Sequence, residues 1–181
     1  RQRFWTIRAR HIILASGAIE RHVAFNNNDI PGVMTVNASK HYLNRYGIIT
    51  GKKIVIATNN DSVYETAKEL YAAGSKVTII DSRKKINIEL PKGIQHYLNT
   101  VPFNINGKKN IESLDVCQSN DSTKKNTIIC DQVLISGGWS PIVNLVSHRG
   151  IKPIWNEDNL CFIPGEIKEN ITVVGSARGI W

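Results

Sequence analysis

Two apolar runs that each stop at glycine, His11-Ile-Ile-Leu-Ala-Ser-Gly-Ala-Ile-Glu-Arg21 and Asp131-Gln-Val-Leu-Ile-Ser-Gly-Gly-Trp-Ser-Pro141, bracket a complete strand, turn, helix and strand between Lys52 and Asp81. Within that unit Lys53-Ile-Val-Ile-Ala-Thr58 reads as a buried strand and Asn59-Asn-Asp-Ser62 as a tight turn. Val63 to Ala73 reads as a helix, with Tyr64, Ala67, Leu70 and Tyr71 at helical spacing. Gly74 ends the helix, and Lys76-Val-Thr-Ile-Ile-Asp81 returns as the next strand. A strand–helix–strand unit of this length favours a parallel pair joined by a right-handed crossover.

The nested order predicts an α/β chain of two dinucleotide-binding, Rossmann-like domains, one inserted in the other. Residues 1–50 and 131–181 are assigned to an FAD/NAD-binding-type domain, and residues 51–130 to an inserted pyridine-nucleotide-type domain. A central parallel sheet with helices is expected beside an antiparallel meander of Phe103 to Ile105, Ile111 to Cys117 and Thr127 to Cys130, leading into Gln132 to Ser136. Ile12 to Ala15 and Leu134 to Ser136 are expected to belong to one domain, as its two returning edges, and the chain is read as an internal piece of a longer protein. Phe4 to Arg8 alternates like an edge strand that leads into a buried one at Ile12 to Ala15. Asn26 to Gly32 is turn chemistry, and Thr35 is placed to cap a helix through Tyr46, with Val36, Leu43 and Tyr46 on its buried side and Gly47 after its end.

Composition narrows the class. The 181 residues are 41% hydrophobic and 21% charged, an ordinary globular balance, and no run approaches the ~20 apolar residues that span a bilayer. A soluble, cytoplasmic protein without a membrane partner is expected. The formal charge of +8 is spread among Asn, Asp and Glu, with its densest runs at expected turns, so no nucleic-acid partner is predicted. Cys117, Cys130 and Cys161 form no C-x-x-C and are read as buried, reduced thiols. His11, His22, His41, His96 and His148 show neither metal-ligand spacing nor a triad and are read as surface or hydrogen-bonded residues.

Candidate cofactor contacts fall at the strand ends. Thr58 to Val63 occupies the place of a G-x-G-x-x-G loop, whose glycines let backbone N–H groups approach a pyrophosphate at a helix N-terminus. Here Asn59, Asn60, Asp61 and Ser62 stand instead. Asn tolerates left-handed backbone and can keep the turn, and Asp61 or Ser62 can cap the helix, but a carboxylate makes a poorer bed for a diphosphate. Asp81 follows Thr58 by 23 residues, near the ~20-residue offset at which an acid accepts ribose hydroxyls. The competing reading of Asp81 is a turn former, and Arg83 nearby bears on any 2′-phosphate. Ser16, Gly17 and Ala18 follow one apolar strand and Gly137 and Gly138 another, with a third such segment at Ile171 to Gly179. Ser16 to Ala18 and Gly137-Gly138 are predicted to meet at one cofactor-facing edge, against the plainer reading that glycines end strands. Glu20-Arg21, just after the first of these turns, is read as a solvated surface ion pair in preference to a pair that orients a partner subunit or a phosphate.

Longer blocks carry a family resemblance. Leu14-Ala-Ser-Gly-Ala-Ile-Glu-Arg21, Asn27-Asn-Asp-Ile-Pro-Gly-Val-Met34, Tyr42-Leu-Asn-Arg-Tyr-Gly47, Thr58-Asn-Asn-Asp-Ser62, Gly137-Gly-Trp-Ser-Pro141 and Ser147-His-Arg-Gly-Ile-Lys-Pro-Ile-Trp155 resemble the alpha subunit of heterotetrameric sarcosine oxidase. The resemblance implies an enzyme that oxidises the N-methyl group of sarcosine to give glycine, hydrogen peroxide and a one-carbon unit accepted by tetrahydrofolate. It implies NAD in the alpha subunit, FAD in a partner subunit and FMN between subunits, with the folate site in a further domain that this segment lacks. Partners are then the other subunits, and the small-molecule substrate is handled by the complex. No catalytic residue is carried onto this chain, and the segment alone is expected to be inactive. Two other readings share the architecture: a subunit of an amine, proline or opine oxidase or of hydrogen cyanide synthase, and a non-catalytic scaffold that holds a nucleotide.

Overall fold

In the computed structural model, which describes residues 2–167 and 170–181, the chain divides into two compact units, Glu20–Gly138 and the flanks Arg1–Ile19 with Trp139–Trp181. In chain order the elements are β1 (Ile12–Leu14), β2 (Ala18–Glu20), β3 (Val33–Thr35), α1 (Val36–Tyr46), β4 (Lys53–Thr58), α2 (Val63–Ala72), β5 (Lys76–Asp81) and β6 (Gln95–Tyr97). They continue as β7 (Thr100–Gly107), β8 (Ile111–Gln118), β9 (Asp121–Ile129), β10 (Gln132–Ser136), β11 (Trp139–Pro141), α3 (Asn144–Ser147), β12 (Ile154–Asn156), β13 (Cys161–Ile163) and β14 (Ile171–Val173), followed by a 3-10 turn at Gly175–Arg178.

The larger unit is built on a five-stranded sheet in the order β3-β10-β4-β5-β6, parallel throughout. Its middle strands are apolar along nearly their whole length because both faces are covered. Ile54, Ile56, Val77, Ile79 and Leu134 face one core with Val63, Tyr64, Ala67 and Leu70 of α2 and Val36 of α1. Their neighbours Val55, Ala57, Ile80, Val133 and Ile135 face a second core with Ile105, Ile111, Leu114 and Val116 of the antiparallel meander β7-β8-β9. Register aligns Ser136 with Thr58 and Thr58 with Asp81, so the three carboxyl ends of β10, β4 and β5 form one row. Helix α1 starts and stops where its sequence says: the Thr35 hydroxyl accepts from the Ala38 N–H, and the Gly47 N–H donates to the Leu43 carbonyl.

The units divide elsewhere than at residues 50 and 130. β3, α1 and β10 belong to the larger unit, because β10 hydrogen-bonds to β4 on one side and to β3 on the other. Ile12 to Ala15 and Leu134 to Ser136 therefore belong to different units and different sheets: β1 pairs in parallel with β14, in the smaller unit. Nor is β1 buried, since β14 is its only strand partner among the described residues and Ile13 stays 67% exposed. Residues 4–8 form no strand, and Phe4 is 96% exposed. The smaller unit has its own core of Val146, Val173 and Ala177, packed with Leu14, Ile151 and Ile171. It also contains an antiparallel pair, β12 with β13.

Ile56 has no solvent exposure and is central to the first core. Ile56→Ala is expected to lower unfolding free energy by about 2–5 kcal/mol through lost transfer energy and a residual cavity. Denaturant titration is the measurement, and a loss under ~1 kcal/mol would show that the core closes over the gap.

Candidate functional site

The turn between β4 and α2 is held by side chains rather than by open backbone. The Asn60 N–H donates to Thr58 Oγ1, while the Thr58 hydroxyl donates to the Asn60 carbonyl, each at 3.1 Å. The Asn60 amide donates to the Ser136 carbonyl and hydroxyl, both at 3.2 Å, and its Oδ1 accepts from the Ser62 N–H and hydroxyl. Asn59 donates to the Gly137 carbonyl at 3.3 Å. Neither Asn59 nor Asn60 takes a positive φ, so left-handed backbone is not what keeps this turn. Ser62 stands at the cap position of α2 without a side-chain cap bond. Asp61 does not cap either; its Oδ1 lies 2.7 Å from Arg83 Nη1.

Asp81 ends β5 with 0% of its surface exposed. Its Oδ2 accepts from the Tyr64 hydroxyl at 2.7 Å and from Arg83 Nη2 at 2.8 Å. Its Oδ1 accepts from the Arg83 backbone N–H at 2.8 Å, and Arg83 Nε lies 3.1 and 3.2 Å from the two oxygens. Burial, then the hydrogen bond to Asp81, holds the Tyr64 phenol protonated far above its ordinary range. The bidentate bond to Asp81 raises the Arg83 guanidinium, whose charge is permanent in any case. His96 Nε2 sits 3.1 Å from the Tyr64 oxygen. Because the single Tyr64 proton is committed to Asp81, the imidazole is the donor, which fixes the Nε2–H tautomer.

These residues do not fit a dinucleotide. The acid that would accept ribose hydroxyls already has both oxygens engaged, and the turn presents a paired carboxylate and Asn side chains where glycine would leave N–H groups open. Sequence reasoning located Asp81 and Asp61 but missed Arg83, Tyr64 and His96 as their partners. An Arg two residues beyond the acid, and a Tyr on the buried face of the helix whose hydroxyl must find an acceptor, were the available signals.

The glycine segments are also occupied by the chain itself. Gly137 donates to the Arg21 carbonyl at 2.8 Å, and Arg21 donates to the Gly138 carbonyl at 2.9 Å. A Cβ on Gly137 would meet Val23 Cγ2 at 2.9 Å, and one on Gly138, at φ +92, would meet Arg21 Nη2 at 2.6 Å. Their missing side chains thus make room for Arg21 and Val23. Ser16, Gly17 and Ala18 lie in the other unit, where Gly17, at φ +79, has open space beside it. There the Ser16 hydroxyl donates to the Ile142 carbonyl, and the Gly17 carbonyl accepts from the Ile142 N–H. Glu20 is buried rather than at the surface, and its Oε2 accepts from the Asn37 N–H in the first turn of α1 at 2.8 Å, a helix-end contact. The three cysteines are buried, and burial pushes the Cys130 thiol up to about 12. Among the described residues no His, Cys, Asp or Glu group could hold a metal, and no helix is long and apolar enough to cross a membrane.

No protein-family model matches the chain. The sarcosine oxidase alpha subunit of Rhizobium meliloti is 38% identical over 178 residues, which are 97% of this chain and 18% of that protein. The alpha subunit from Corynebacterium sp. (strain U-96) is 34% identical over 189 residues, 99% of this chain and 20% of its own length. The chain is a relative of the sarcosine oxidase alpha subunit. It spans about a fifth of the length of these sarcosine oxidase subunits. L-proline dehydrogenase from P. horikoshii superposes with a TM-score of 0.67 at 23% identity, over 93% of this chain and 30% of that one. Thioredoxin reductase from T. acidophilum gives 0.73 at 16% identity, over 94% and 58%. Both structures are oxidoreductases, and they share with this chain the Rossmann-type α/β fold.

Two outcomes follow for the site. Burial, reinforced by Arg83 and opposed by Asp81, lowers the His96 pKa, so an unfolded chain takes up this proton before the folded one does. Stability from His96 is complete above the ordinary imidazole value and falls as pH drops through it toward the lower folded value. His96→Gln is expected to flatten the decline in urea midpoint between pH 7.5 and 5.5; an unchanged slope would contradict the neutral assignment. Gly138→Ala is expected to cost about 1 kcal/mol or more through its positive φ, with cofactor content of the full-length protein unaltered; cofactor lost from protein that stays folded would restore the ligand-facing reading.

Proposed function

We propose that this chain is a segment of the alpha-type subunit of a sarcosine-oxidising flavoprotein complex. The carrying observation is the 38% identity to a sarcosine oxidase alpha subunit across 97% of the chain. In this reading the complex converts sarcosine to glycine and hydrogen peroxide, with tetrahydrofolate accepting the one-carbon unit. FAD and FMN supply the redox chemistry and NAD is carried in the alpha subunit, away from the Thr58 to Val63 turn. The other subunits are the partners, and this segment supplies scaffold and subunit contacts rather than a general base. An amine, proline or opine oxidase is the second reading, with the same architecture and a different substrate.

The test is substrate-dependent peroxide formation by the full-length protein assembled with its partner subunits. Sarcosine is expected to be turned over in preference to proline and opines, and tetrahydrofolate to trap the one-carbon unit. Preference for proline or an opine would establish the second reading. The 181-residue chain alone, with added FAD, is expected to form no peroxide from sarcosine.

A further inference from the structure

A dinucleotide in a Rossmann unit bridges two elements, the turn at the start of the first helix and the carboxyl end of the second strand. In the larger unit a single side chain makes that bridge. Arg83 Nη1 is 2.7 Å from Asp61 Oδ1 on the turn before α2, and Arg83 Nη2 is 2.8 Å from Asp81 Oδ2 at the end of β5. The guanidinium is only partly exposed, and its backbone is fixed on both sides. The Ser82 N–H donates to the Thr58 carbonyl at 3.0 Å, and the Arg83 carbonyl accepts from the Asn99 N–H at 2.9 Å. The backbone from which the side chain extends is therefore fixed, and the side chain itself is held by Asp61 and Asp81.

The occupancy of Asp81 is complete. A carboxylate offers about four lone-pair positions, and Asp81 receives the Tyr64 hydroxyl, the Arg83 backbone N–H and both Nε and Nη2 of the Arg83 fork. Ribose hydroxyls would have to displace a bidentate guanidinium from a carboxylate sealed from water, an exchange of charge-assisted bonds for weaker neutral ones. A pyrophosphate would further meet Asp61, whose charge is already satisfied by the same arginine.

We propose that Arg83 is a built-in substitute for the dinucleotide. Its cation ties Asp61 to Asp81 across the cleft, holds the turn and the strand end together with no ligand present, and excludes nucleotides of the NAD class from this unit. Nucleotide carried by the protein is then bound outside the Thr58 to Asp81 cleft. This inference does not rest on sarcosine as the substrate.

The experiment uses the full-length protein and the variants Arg83→Met, Asp61→Asn and Asp81→Asn, with two readouts on each sample. One is the NAD released per mole on acid denaturation together with saturable binding of added ADP-ribose; the other is Tm. The proposal expects wild-type NAD content in every folded variant and no ADP-ribose binding that these substitutions weaken. It expects Tm to fall by roughly 10 °C in Arg83→Met, which strands a buried charge, and by much less in Asp61→Asn, where the Asp81 pair survives. NAD content or ADP-ribose affinity falling tenfold in folded Asp61→Asn would overturn it. A Tm of Arg83→Met within about 1 °C of wild type would also overturn it, while failure of that variant to fold counts for the strap, leaving the nucleotide arm to be read on Asp61→Asn.

Discussion

Asp81 keeps its carboxylate at the end of β5 with no contact with water, and a charge so placed costs several kcal/mol unless it is paired and hydrogen-bonded. That requirement propagates. Tyr64 must keep its hydroxyl on Asp81, which fixes the first turn of α2 against the sheet. Arg83 must follow β5 closely, which sets the path of the chain beyond Ser82, and its second arm draws in Asp61 and the turn. His96 on β6 completes the set by donating to Tyr64. Turn, helix, two strands and the intervening loop are thus referenced to one buried charge.

The sheet that carries this charge was legible for a physical reason. A parallel strand covered on both faces has no polar side to show, so Lys53–Thr58, Lys76–Asp81 and Gln132–Ser136 read as apolar runs at sequence level. The capped helix α1 was legible from Thr35 and Gly47, which act locally. The boundaries of the units were not. β3 has three residues and no periodicity of its own, and it belongs to the larger unit only because it pairs with β10, about a hundred residues later. Ile12–Leu14 looked like a buried strand for the same reason that β4 did, since hydrophobicity records a need for cover and not which segment supplies it.

At the candidate site the sequence located the positions and the missing glycines but not the partners that occupy the acid. The spacing from Thr58 to Asp81 is a property of the fold, and it survives whether or not a ligand uses it. What decides use is whether the acid is free, and that depends on Tyr64, Arg83 and His96, whose convergence is set by helix rotation and loop path. The same holds for Gly137 and Gly138. A glycine after a strand signals that something comes close, and here the close neighbours are Arg21 and Val23 of the same chain.

The reciprocal bonds between Arg21 and the Gly137-Gly138 pair have a consequence for how such a chain could arise. They bring the entry and exit of the larger unit side by side, so the span Glu20–Gly138 is a closed excursion whose ends need no spacer. Domains with adjacent termini tolerate transplantation into a surface turn of another fold. Such a joint makes the larger unit a cassette: its loops can gain or lose residues, and its cleft can fall out of use, without altering the separation at which the host chain must resume. Divergence inside the insert is thereby uncoupled from the geometry of the protein that carries it.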